Sequence, residues 1–281
     1  MKIIKYFIIP VILLYVAFCT VVYFFPEKFF YKPQQNAGNI SHAIHNGFLA
    51  KEVAYAHYDK GVQTTNGWLY LNQSPDNNHK IILFLHGNAH NIEHFYHKMI
   101  PLAEAGYSVF IPEYRGFGGQ GKRIRQSFLT EDAEQSAKYL NSIGFKNEDI
   151  IVYGISLGTH MALHTTNSLQ KNGKFNALIL EVPFTSLLQA ASSHTTFAGI
   201  NILPLDLILR DKYDNMALID KVETRVLIMT TDSDQIVPSV QAKILYEKAK
   251  HPKELVVYQG ASHDTLYNLR NYRKILEWLK N

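Results

Sequence analysis

The feature that most constrains this chain is an apolar run that ends in a Gly-x-Ser-x-Gly turn and continues directly as a helical pattern. Residues 149–162 have the sequence DIIVYGISLGTHMA. A serine on a tight turn between a strand and a helix has strained backbone geometry, and side chains two positions away on either side would clash, so glycine at 154 and 158 permits the turn. The helix N-terminus beside the hydroxyl favours developing negative charge. The pattern predicts that Ser156 is a nucleophile and that Gly154 and Gly158 form its elbow. The alternative is a small-residue turn with an idle serine.

A histidine in a later loop is the predicted base for this serine. A serine hydroxyl is a weak nucleophile near neutral pH and requires a base, which in turn requires an orienting carboxylate. The two partners are expected after the serine in the order carboxylate, then histidine, each following the C-terminal end of a strand. The predicted strand Glu254–Gln259 leads into GASHD, residues 260–264, which contains His263. The other histidines after Ser156 fall on predicted helices or connecting segments, so we predict that His263 is the base.

The loop before that strand offers the carboxylate. The predicted strand Arg225–Thr230 leads into TDSDQIVP, residues 231–238, which contains two aspartates. Asp234 precedes a turn that Pro238 helps to fix at the start of the next predicted helix, so we prefer Asp234 as the acid. Asp232 is the alternative. The aspartate that is not used would cap the loop, a common role for Asp in turns.

Two backbone amides are the predicted oxyanion hole. One is the amide of Leu157, directly after the nucleophile, and the other comes from the loop after the third predicted strand. That loop is HGNA, residues 86–89. The amide of Asn88 is the candidate there, since Gly87 lets the backbone turn closely. Loss of one such donor typically lowers the rate ~100- to 1,000-fold, so the backbone of this loop matters more than its side chains.

Strand and helix patterns alternate from residue 51 to the end of the chain. Compact runs of Ile, Leu and Val are typical of strands buried on both faces of a parallel sheet. The alternation predicts an α/β fold, a doubly wound and mostly parallel eight-stranded sheet with helices on both faces, in one catalytic domain over 51–281. The first two predicted strands precede any helix of this domain, so an antiparallel edge is expected. The predicted strands are Val53–Tyr58, Trp68–Leu71, Lys80–Leu85, Ser108–Pro112, Ile150–Tyr153, Ala177–Glu181, Arg225–Thr230 and Glu254–Gln259, and the predicted helices lie near 91–104, 131–142, 157–170, 239–250 and 264–279.

The N-terminus predicts a membrane anchor. Residues 6–25 carry no charge over 20 positions, and a helix of that length rises ~30 Å, about the thickness of the hydrocarbon core of a bilayer. A cleaved signal peptide is the alternative, but its apolar region would be shorter and followed by small residues. We therefore predict an anchor over 1–30 and a polar tether over 31–50. Lys2 and Lys5 favour a cytoplasmic N-terminus with the catalytic domain on the opposite side.

Composition excludes two other classes. The formal net charge is +4, and the short basic cluster at 122–125 is interpreted as a solvated loop rather than an anion contact, so no nucleic acid partner is expected. The single cysteine, Cys19, lies inside the apolar N-terminal run. The predicted domain therefore contains no disulfide framework.

Histidines in two helical groups raise the alternative of a metal enzyme. His90, His94 and His97 share one face of a predicted helix, and His160 and His164 are four residues apart on another. No His-Glu-x-x-His motif or cysteine ligand accompanies them. We interpret them as surface or core histidines and predict no metal and no cofactor.

Further segments occur in the order of one superfamily. They are the strand with HGNA (81–89), PEYRGFGGQG (112–121), GISLG (154–158), EVPFTSL (181–187), RDKYDN (210–215), TDSDQIVP (231–238) and GASHD (260–264). Together they resemble the α/β-hydrolase superfamily over about residues 20–279. The anchor with HGNA, YRGFG and PFTS most resembles its single-pass, membrane-anchored serine hydrolase branch, which includes relatives of the protein depalmitoylases.

The resemblance implies roles for the same residues. Ser156, Asp234 and His263 match the nucleophile, acid and base of the superfamily, and Asn88 and Leu157 match its oxyanion-hole positions. The chain departs from the family pattern at two places. Glu113 stands where Asp is usual before Tyr-Arg-Gly, and Ser-His-Asp stands at 262–264 where Gly-His-Asn is frequent.

The segment 183–224 is the place for any cap over the site. It contains a helical pattern near Ser186–Ser193 and the apolar stretch ILPLDLIL at 202–209. That stretch either flanks an open site suited to an acyl chain or packs on the body of the domain.

These features predict a serine hydrolase that cleaves carboxylic ester or thioester bonds through an acyl-enzyme. The expected substrates are small-molecule, lipid or acyl-protein compounds near a membrane. Two alternatives remain: a serine peptidase of the same fold, and a membrane-tethered binding protein on an inactive hydrolase scaffold.

Overall fold

A mixed β-sheet with helices on both faces forms the body of the chain in this computed structural model, which describes residues 2–40, 50–58, 62–73, 79–121, 123–197, 200–201, 203–264, 266 and 269–280. Within those residues the strands of the sheet are β1 (Ala50–Tyr58), β2 (Val62–Tyr70), β3 (Ile81–Leu85), β4 (Ser108–Pro112), β5 (Ile150–Ile155), β6 (Ala177–Glu181), β7 (Val226–Thr231) and β8 (Lys253–Tyr258). Their order across the sheet is β8-β7-β6-β5-β3-β4-β2-β1. The strands from β3 to β8 run parallel, whereas β2 is antiparallel to both β1 and β4. The predicted mostly parallel sheet with an antiparallel edge is confirmed.

Helices connect the parallel strands and cover both faces of the sheet. The longer helices are α1 (Lys2–Phe24), α2 (Ile92–Glu104), α3 (Gln126–Ser142), α4 (Gly158–Leu169), α5 (Leu187–Thr195), α6 (Ser239–Lys248) and α7 (Leu269–Lys280). Shorter helical turns are Glu27–Phe30, Asn147–Asp149, Gln170–Asn172, Leu205–Ile208 and Ile219–Lys221. Two strand pairs lie outside the main sheet: Lys32–Pro33 is parallel to Ala89–His90, and Thr196–Phe197 is antiparallel to Ile200–Asn201.

Alternate residues of each central strand enter opposite halves of the hydrophobic core. In β3, Ile81, Leu83 and Leu85 pack with α3, α4 and α6, whereas Ile82 and Phe84 pack with α2 and α7. All five of these side chains are fully buried. A parallel strand covered on both faces has this unbroken apolar pattern, which is why the central strands were predictable from their residues.

Two elements extend further towards the N-terminus than the hydrophobic pattern predicts. β2 begins at Val62 rather than at Trp68, because its polar first half pairs with β1 at the sheet edge. α3 begins at Gln126 rather than near residue 131, and Leu129 in the added turn is fully buried. Strand pairing determines where β2 begins, and tertiary burial determines where α3 begins. Neither can be read from the local hydrophobic pattern of the sequence.

α1 carries an apolar stretch long enough to cross a membrane. Tyr6–Phe24 contains 19 residues, a rise of roughly 28 Å at the usual helical pitch. Apart from Cys19 and Val22, the side chains of this stretch are exposed. Arg123 donates a hydrogen bond to the carbonyl of Phe24 at 2.7 Å, which attaches the end of α1 to the body. Its neighbour in the basic cluster, residue 122, lies outside the described residues.

The first ten residues of the predicted tether lie on the body of the protein. Tyr31 is buried, and Lys32–Pro33 forms the short parallel pair with Ala89–His90. The sequence predicted a polar tether here. The observed contact is backbone pairing, which requires no apolar pattern and therefore had no local signal in the sequence. Residues 41–49 of the predicted tether are outside the described residues.

The apolar stretch at 202–209 packs on α1 and α5, over the part that is described, 203–209. Leu205, Ile208 and Leu209 are buried against Val22 of α1 and against apolar residues of α5. Leu207 points away from this cluster and is 71% exposed. Of the two expectations for this stretch, packing is therefore the one observed, and its partner includes the N-terminal helix.

Candidate active site

Ser156 lies on the turn between β5 and α4 in a left-handed backbone conformation, with φ of 51°. L-residues adopt this conformation rarely. The flanking glycines are sterically required: a Cβ on Gly158 would collide with the carbonyl of Leu85, and one on Gly154 would collide with the carbonyl of Gly158. The amide of Ser156 donates to the carbonyl of Glu181 at 2.9 Å. The turn thus has the geometry expected from the Gly-x-Ser-x-Gly pattern.

The structure brings the three predicted side chains together at the C-terminal edge of the sheet. Nε2 of His263 lies 3.1 Å from Oγ of Ser156. Nδ1 of the same ring lies 2.7 Å from Oδ2 of Asp234. His263 follows β8 and Asp234 follows β7, so parallel strands deliver both side chains to one edge. The imidazole can accept the hydroxyl proton at Nε2 while the carboxylate accepts a hydrogen bond from Nδ1–H.

The two aspartates of the β7–α6 loop have different surroundings. The second carboxylate oxygen of Asp234 accepts hydrogen bonds from the amides of Ile236 and Val237, both at 2.8 Å. Asp232 instead accepts a hydrogen bond from the amide of Gly260 at 2.8 Å, and this bond lowers the pKa of its exposed carboxyl. Asp234 is therefore the carboxylate beside the imidazole, and Asp232 joins the ends of two loops.

The HGNA loop lies next to the serine. A Cβ on Gly87 would be 3.6 Å from Cβ of Ser156, so the loop backbone passes close to the hydroxyl. Within the described part of the chain, the amides of Asn88 and Leu157 donate to no protein acceptor. Two unpaired N–H groups beside a serine are the donors that an oxyanion requires.

The comparisons with known proteins agree with this geometry. The profile of the prolyl oligopeptidase family matches residues 93–281. The chain belongs to the prolyl oligopeptidase family of α/β-hydrolases. It is a hydrolase with lipase- and esterase-type relatives.

Known proteins resemble the chain over about two thirds or more of its length. Protein Rv2307c of Mycobacterium tuberculosis is 30% identical over 221 residues, which cover 76% of this chain and 75% of that protein. The lysophosphatidylserine lipase ABHD12 of Danio rerio is 30% identical over 198 residues, which cover 66% of this chain and 51% of the lipase. A solved structure of the Pyrococcus furiosus esterase Pf2001 superposes with a TM-score of 0.69 at 19% identity, covering 90% of this chain and 97% of the esterase.

Glu113, where the chain departs from the usual family residue, contacts the first residue of the HGNA loop and the first residue of α2. One carboxylate oxygen of Glu113 lies 3.2 Å from Nε2 of His86, and the other accepts the amide of Ile92 at 3.1 Å. The fully buried His86 ring also packs against Tyr114, with ring centroids 4.2 Å apart. The longer Glu side chain therefore connects the start of this loop to the start of α2.

A buried polar network behind the elbow was not predicted from the sequence. His160 of α4 donates from Nδ1 to Oδ1 of Asn215 at 2.8 Å and accepts at Nε2 from Gln126 at 3.0 Å. Burial lowers the pKa of His160 from 6.5 to about 4, so the ring is neutral near pH 7. The only sequence signal was the motif RDKYDN, which contains Asn215 but no indication of its partner.

The other histidines of the two predicted helical groups contact different partners. The rings of His90 and His94 stack at 3.8 Å between centroids, and His164 lies 3.1 Å from the carboxylate of Glu134. Among the described residues there is no group of three or more His, Cys, Asp or Glu side chains that could hold a metal ion.

Proposed function

We propose that this chain is a serine hydrolase that cleaves carboxylic ester or thioester bonds through an acyl-enzyme. The observation that carries the proposal is the continuous hydrogen-bonded series from Oγ of Ser156 through His263 to Asp234, with distances of 3.1 and 2.7 Å. A serine alone is a weak nucleophile, and this series supplies both a base and a group that orients the base.

The proposed reaction has two steps of the same kind. Oγ of Ser156 attacks the carbonyl carbon while its proton passes to Nε2 of His263. The oxyanion accepts hydrogen bonds from the amides of Asn88 and Leu157, and its collapse expels the alcohol or thiol, which takes the proton from His263. Water then attacks the acyl-enzyme and gives a proton to His263. Collapse of this second intermediate releases the acid and returns the proton to Ser156.

Lipid or acylated substrates near a membrane are the proposed class. The cap helix (Leu205–Ile208) packs on the end of α1, the helix that is long and apolar enough to span a bilayer. This contact keeps the catalytic edge of the body close to the end of the span. A relative bears the name lysophosphatidylserine lipase, which supports a lipid ester as the substrate. We propose a single-pass membrane protein with the N-terminus in the cytoplasm and the body on the opposite side.

The decisive test compares labelling and turnover in wild type and Ser156→Ala. The full-length chain in detergent should react with a fluorophosphonate probe and hydrolyse short p-nitrophenyl esters between about pH 6 and pH 9, and Ser156→Ala should do neither. Absence of labelling and hydrolysis in folded wild type would instead favour a non-catalytic binding protein. Labelling that persists in Ser156→Ala would assign the nucleophile to another residue.

A serine peptidase is the second candidate, because the matching family is named for an oligopeptidase. Esters and amides share the same acyl-enzyme route, so the site geometry alone does not separate them. A matched pair of substrates does: the same acyl group joined to p-nitrophenol or to p-nitroaniline. We expect hydrolysis of the ester without measurable hydrolysis of the anilide, because an amide is intrinsically the harder bond to cleave by this route. Turnover of the anilide that is lost in Ser156→Ala would favour the peptidase.

A further inference from the structure

The segment that follows α1 binds directly to the HGNA loop. The side-chain amide of Asn88 donates to the carbonyl of Phe30 at 2.8 Å. The carbonyl of Asn88 accepts from the amide of Lys32 at 2.9 Å. The side-chain NH2 and the backbone carbonyl of Asn88 are therefore both bonded to this segment. The backbone N–H of Asn88 is the proposed oxyanion donor.

The contact continues beyond Asn88 as a short strand pair. Lys32 and Pro33 pair in parallel with Ala89 and His90. The amide of Gln34 then donates to the carbonyl of His90 at 3.0 Å. We call residues 30–34 the anchor-exit strand. It runs along the second half of the HGNA loop.

A buried tyrosine fixes the start of the anchor-exit strand. The hydroxyl of Tyr31 lies 2.7 Å from the hydroxyl of Tyr213 and donates to Asp211 at 3.2 Å. The Tyr31 side chain is only 6% exposed, and burial raises the pKa of its hydroxyl well above the usual range, so it stays protonated. Two residues after Tyr213, Asn215 bonds to His160 of α4, the helix that begins at the elbow. The strand is thus attached both to the HGNA loop and to the segment 211–213.

We propose that the anchor-exit strand positions the oxyanion-hole amide of Asn88, with the Asn88 side chain as the positioning group. This inference rests on the proposed serine hydrolase function. An N–H group stabilises an oxyanion only when it points at the place where the charge develops, and small displacements are costly. The neighbouring Gly87 has no side chain with which to hold the loop. The carbonyl of Phe30 and the amide of Lys32 supply that restraint from outside the loop.

The test uses the full-length chain in detergent and the variant Asn88→Ala. The variant keeps the backbone N–H but loses the bond to Phe30, so the donor remains and its restraint is lost. We expect kcat for a short p-nitrophenyl ester to fall about 10- to 100-fold, less than the ~100- to 1,000-fold typical of a missing donor. KM should stay within about twofold, because the amide acts in the transition state rather than in substrate binding.

Asn167→Ala is a matched control. Its side-chain amide is also partly buried and donates to a backbone carbonyl, that of Leu218, at 2.9 Å. It lies in the last turns of α4, away from Ser156. Asn167→Ala also loses the bond that Oδ1 of Asn167 accepts from Gln170 at 3.2 Å, so its Tm should fall by at least as many degrees as that of Asn88→Ala. Only Asn88→Ala should lower kcat.

Tyr31→Phe tests the other end of the strand if Asn88→Ala does not fold. The ring stays and only the hydroxyl contacts are lost, so we expect a smaller fall in kcat, about two- to fivefold, at unchanged KM. If the foldable variants keep the kcat of the Asn167→Ala control, the positioning role is wrong while the hydrolase function stands. If wild type itself neither hydrolyses esters nor reacts with the fluorophosphonate, the proposed function is wrong and the positioning role is wrong with it.

Discussion

At the scale of single residues, the two aspartates after β7 give a matched pair for testing the acid. Asp234 contacts His263, whereas Asp232 bonds to the amide of Gly260. We predict that Asp234→Asn lowers kcat on the order of 10⁴-fold, because an amide favours the wrong imidazole tautomer. Asp232→Asn should change kcat by less than about tenfold, since it touches only loop backbone and Ser233. Ester hydrolysis by the two full-length variants measures both effects, and a larger loss in Asp232→Asn would reverse the assignment.

His160 predicts how stability depends on pH. Its pKa is lowered from 6.5 to about 4 by burial, so below pH 6.5 the unfolded chain binds a proton that the folded chain does not. The free energy of unfolding therefore falls as pH decreases from about 6.5 to about 4, and this group contributes at most roughly 3 kcal/mol. Above pH 6.5 both states are neutral and the contribution is constant.

The measurement for His160 is urea unfolding of the full-length chain in detergent across this pH range. His160→Gln removes the titrating group, so its stability should depend less steeply on pH than that of wild type, whatever its absolute stability. Other histidines contribute equally to both proteins, which makes the difference between the two curves the informative quantity. Parallel curves would show that His160 takes up its proton at the same pH in the folded and unfolded chains, so that its pKa is not lowered by folding.

The structure brings together those predicted residues for which the chemistry itself restricts the choice. The local signals were a serine between two glycines after a buried strand and a histidine after the last strand. Because these strands are parallel, both residues lie at the same edge of the sheet. The preference for Asp234 over Asp232 depended on a turn proline, and the structure places Asp234 beside His263. The role of Asn215 had no such signal, because its partner His160 is distant in sequence and a buried polar pair has no periodic pattern.

At the scale of elements, the cap helix Leu205–Ile208 has one face on α1 and one residue directed outward. Leu207 is 71% exposed, and α1, on which the cap helix packs, also has exposed apolar side chains. We predict that Leu207 enters the bilayer interface and that Leu207→Asp lowers kcat/KM about 30-fold for a long-chain ester dissolved in vesicles. The estimate follows from losing the ~2 kcal/mol that burial of a leucine provides. Hydrolysis of a short water-soluble ester should be unchanged.

Ile143→Asp is the control for the cap helix. Ile143 is also an exposed apolar residue, 41% exposed, but it lies before the N-terminal end of β5, on the edge of the sheet opposite Ser156. Reconstituted full-length protein allows both substrates to be assayed with each variant. Equal activity of Leu207→Asp and Ile143→Asp on the vesicle substrate would place the cap helix outside the membrane.

Elements with a strong apolar pattern were predictable, and those held by backbone contacts were not. The central strands needed only their own residues, since each is buried on both faces. The anchor-exit strand at 30–34 is held by hydrogen bonds to Asn88 and His90, far along the sequence. Most of it falls in the predicted tether, and no local pattern indicates these long-range contacts.

At the scale of the whole molecule, the N-terminal helix and the hydrolase body are joined by more than a linker. Val22 packs on the cap helix, Arg123 bonds to the last turn of α1, and Phe30 bonds to the HGNA loop. These contacts lie at the C-terminal edge of the sheet, where Ser156 is found. In the proposed single-pass arrangement, a body held in this way is predicted to present its catalytic edge to the membrane and its opposite edge to the aqueous phase.

The side of the membrane on which the body lies is set by charge, because cytoplasmic flanks of a span are enriched in Lys and Arg. Lys2 and Lys5 precede the span, so we predict that the body is on the non-cytoplasmic side.

The single cysteine makes the test direct: Cys19 lies within the apolar stretch, out of reach of a charged thiol reagent. Lys171→Cys adds an exposed thiol after α4, on the aqueous edge of the sheet. A membrane-impermeant maleimide applied to intact cells should label this variant and leave wild type unlabelled. Labelling of Lys171→Cys only after the cells are made permeable would place the body in the cytoplasm and show that the flanking charges do not decide the orientation.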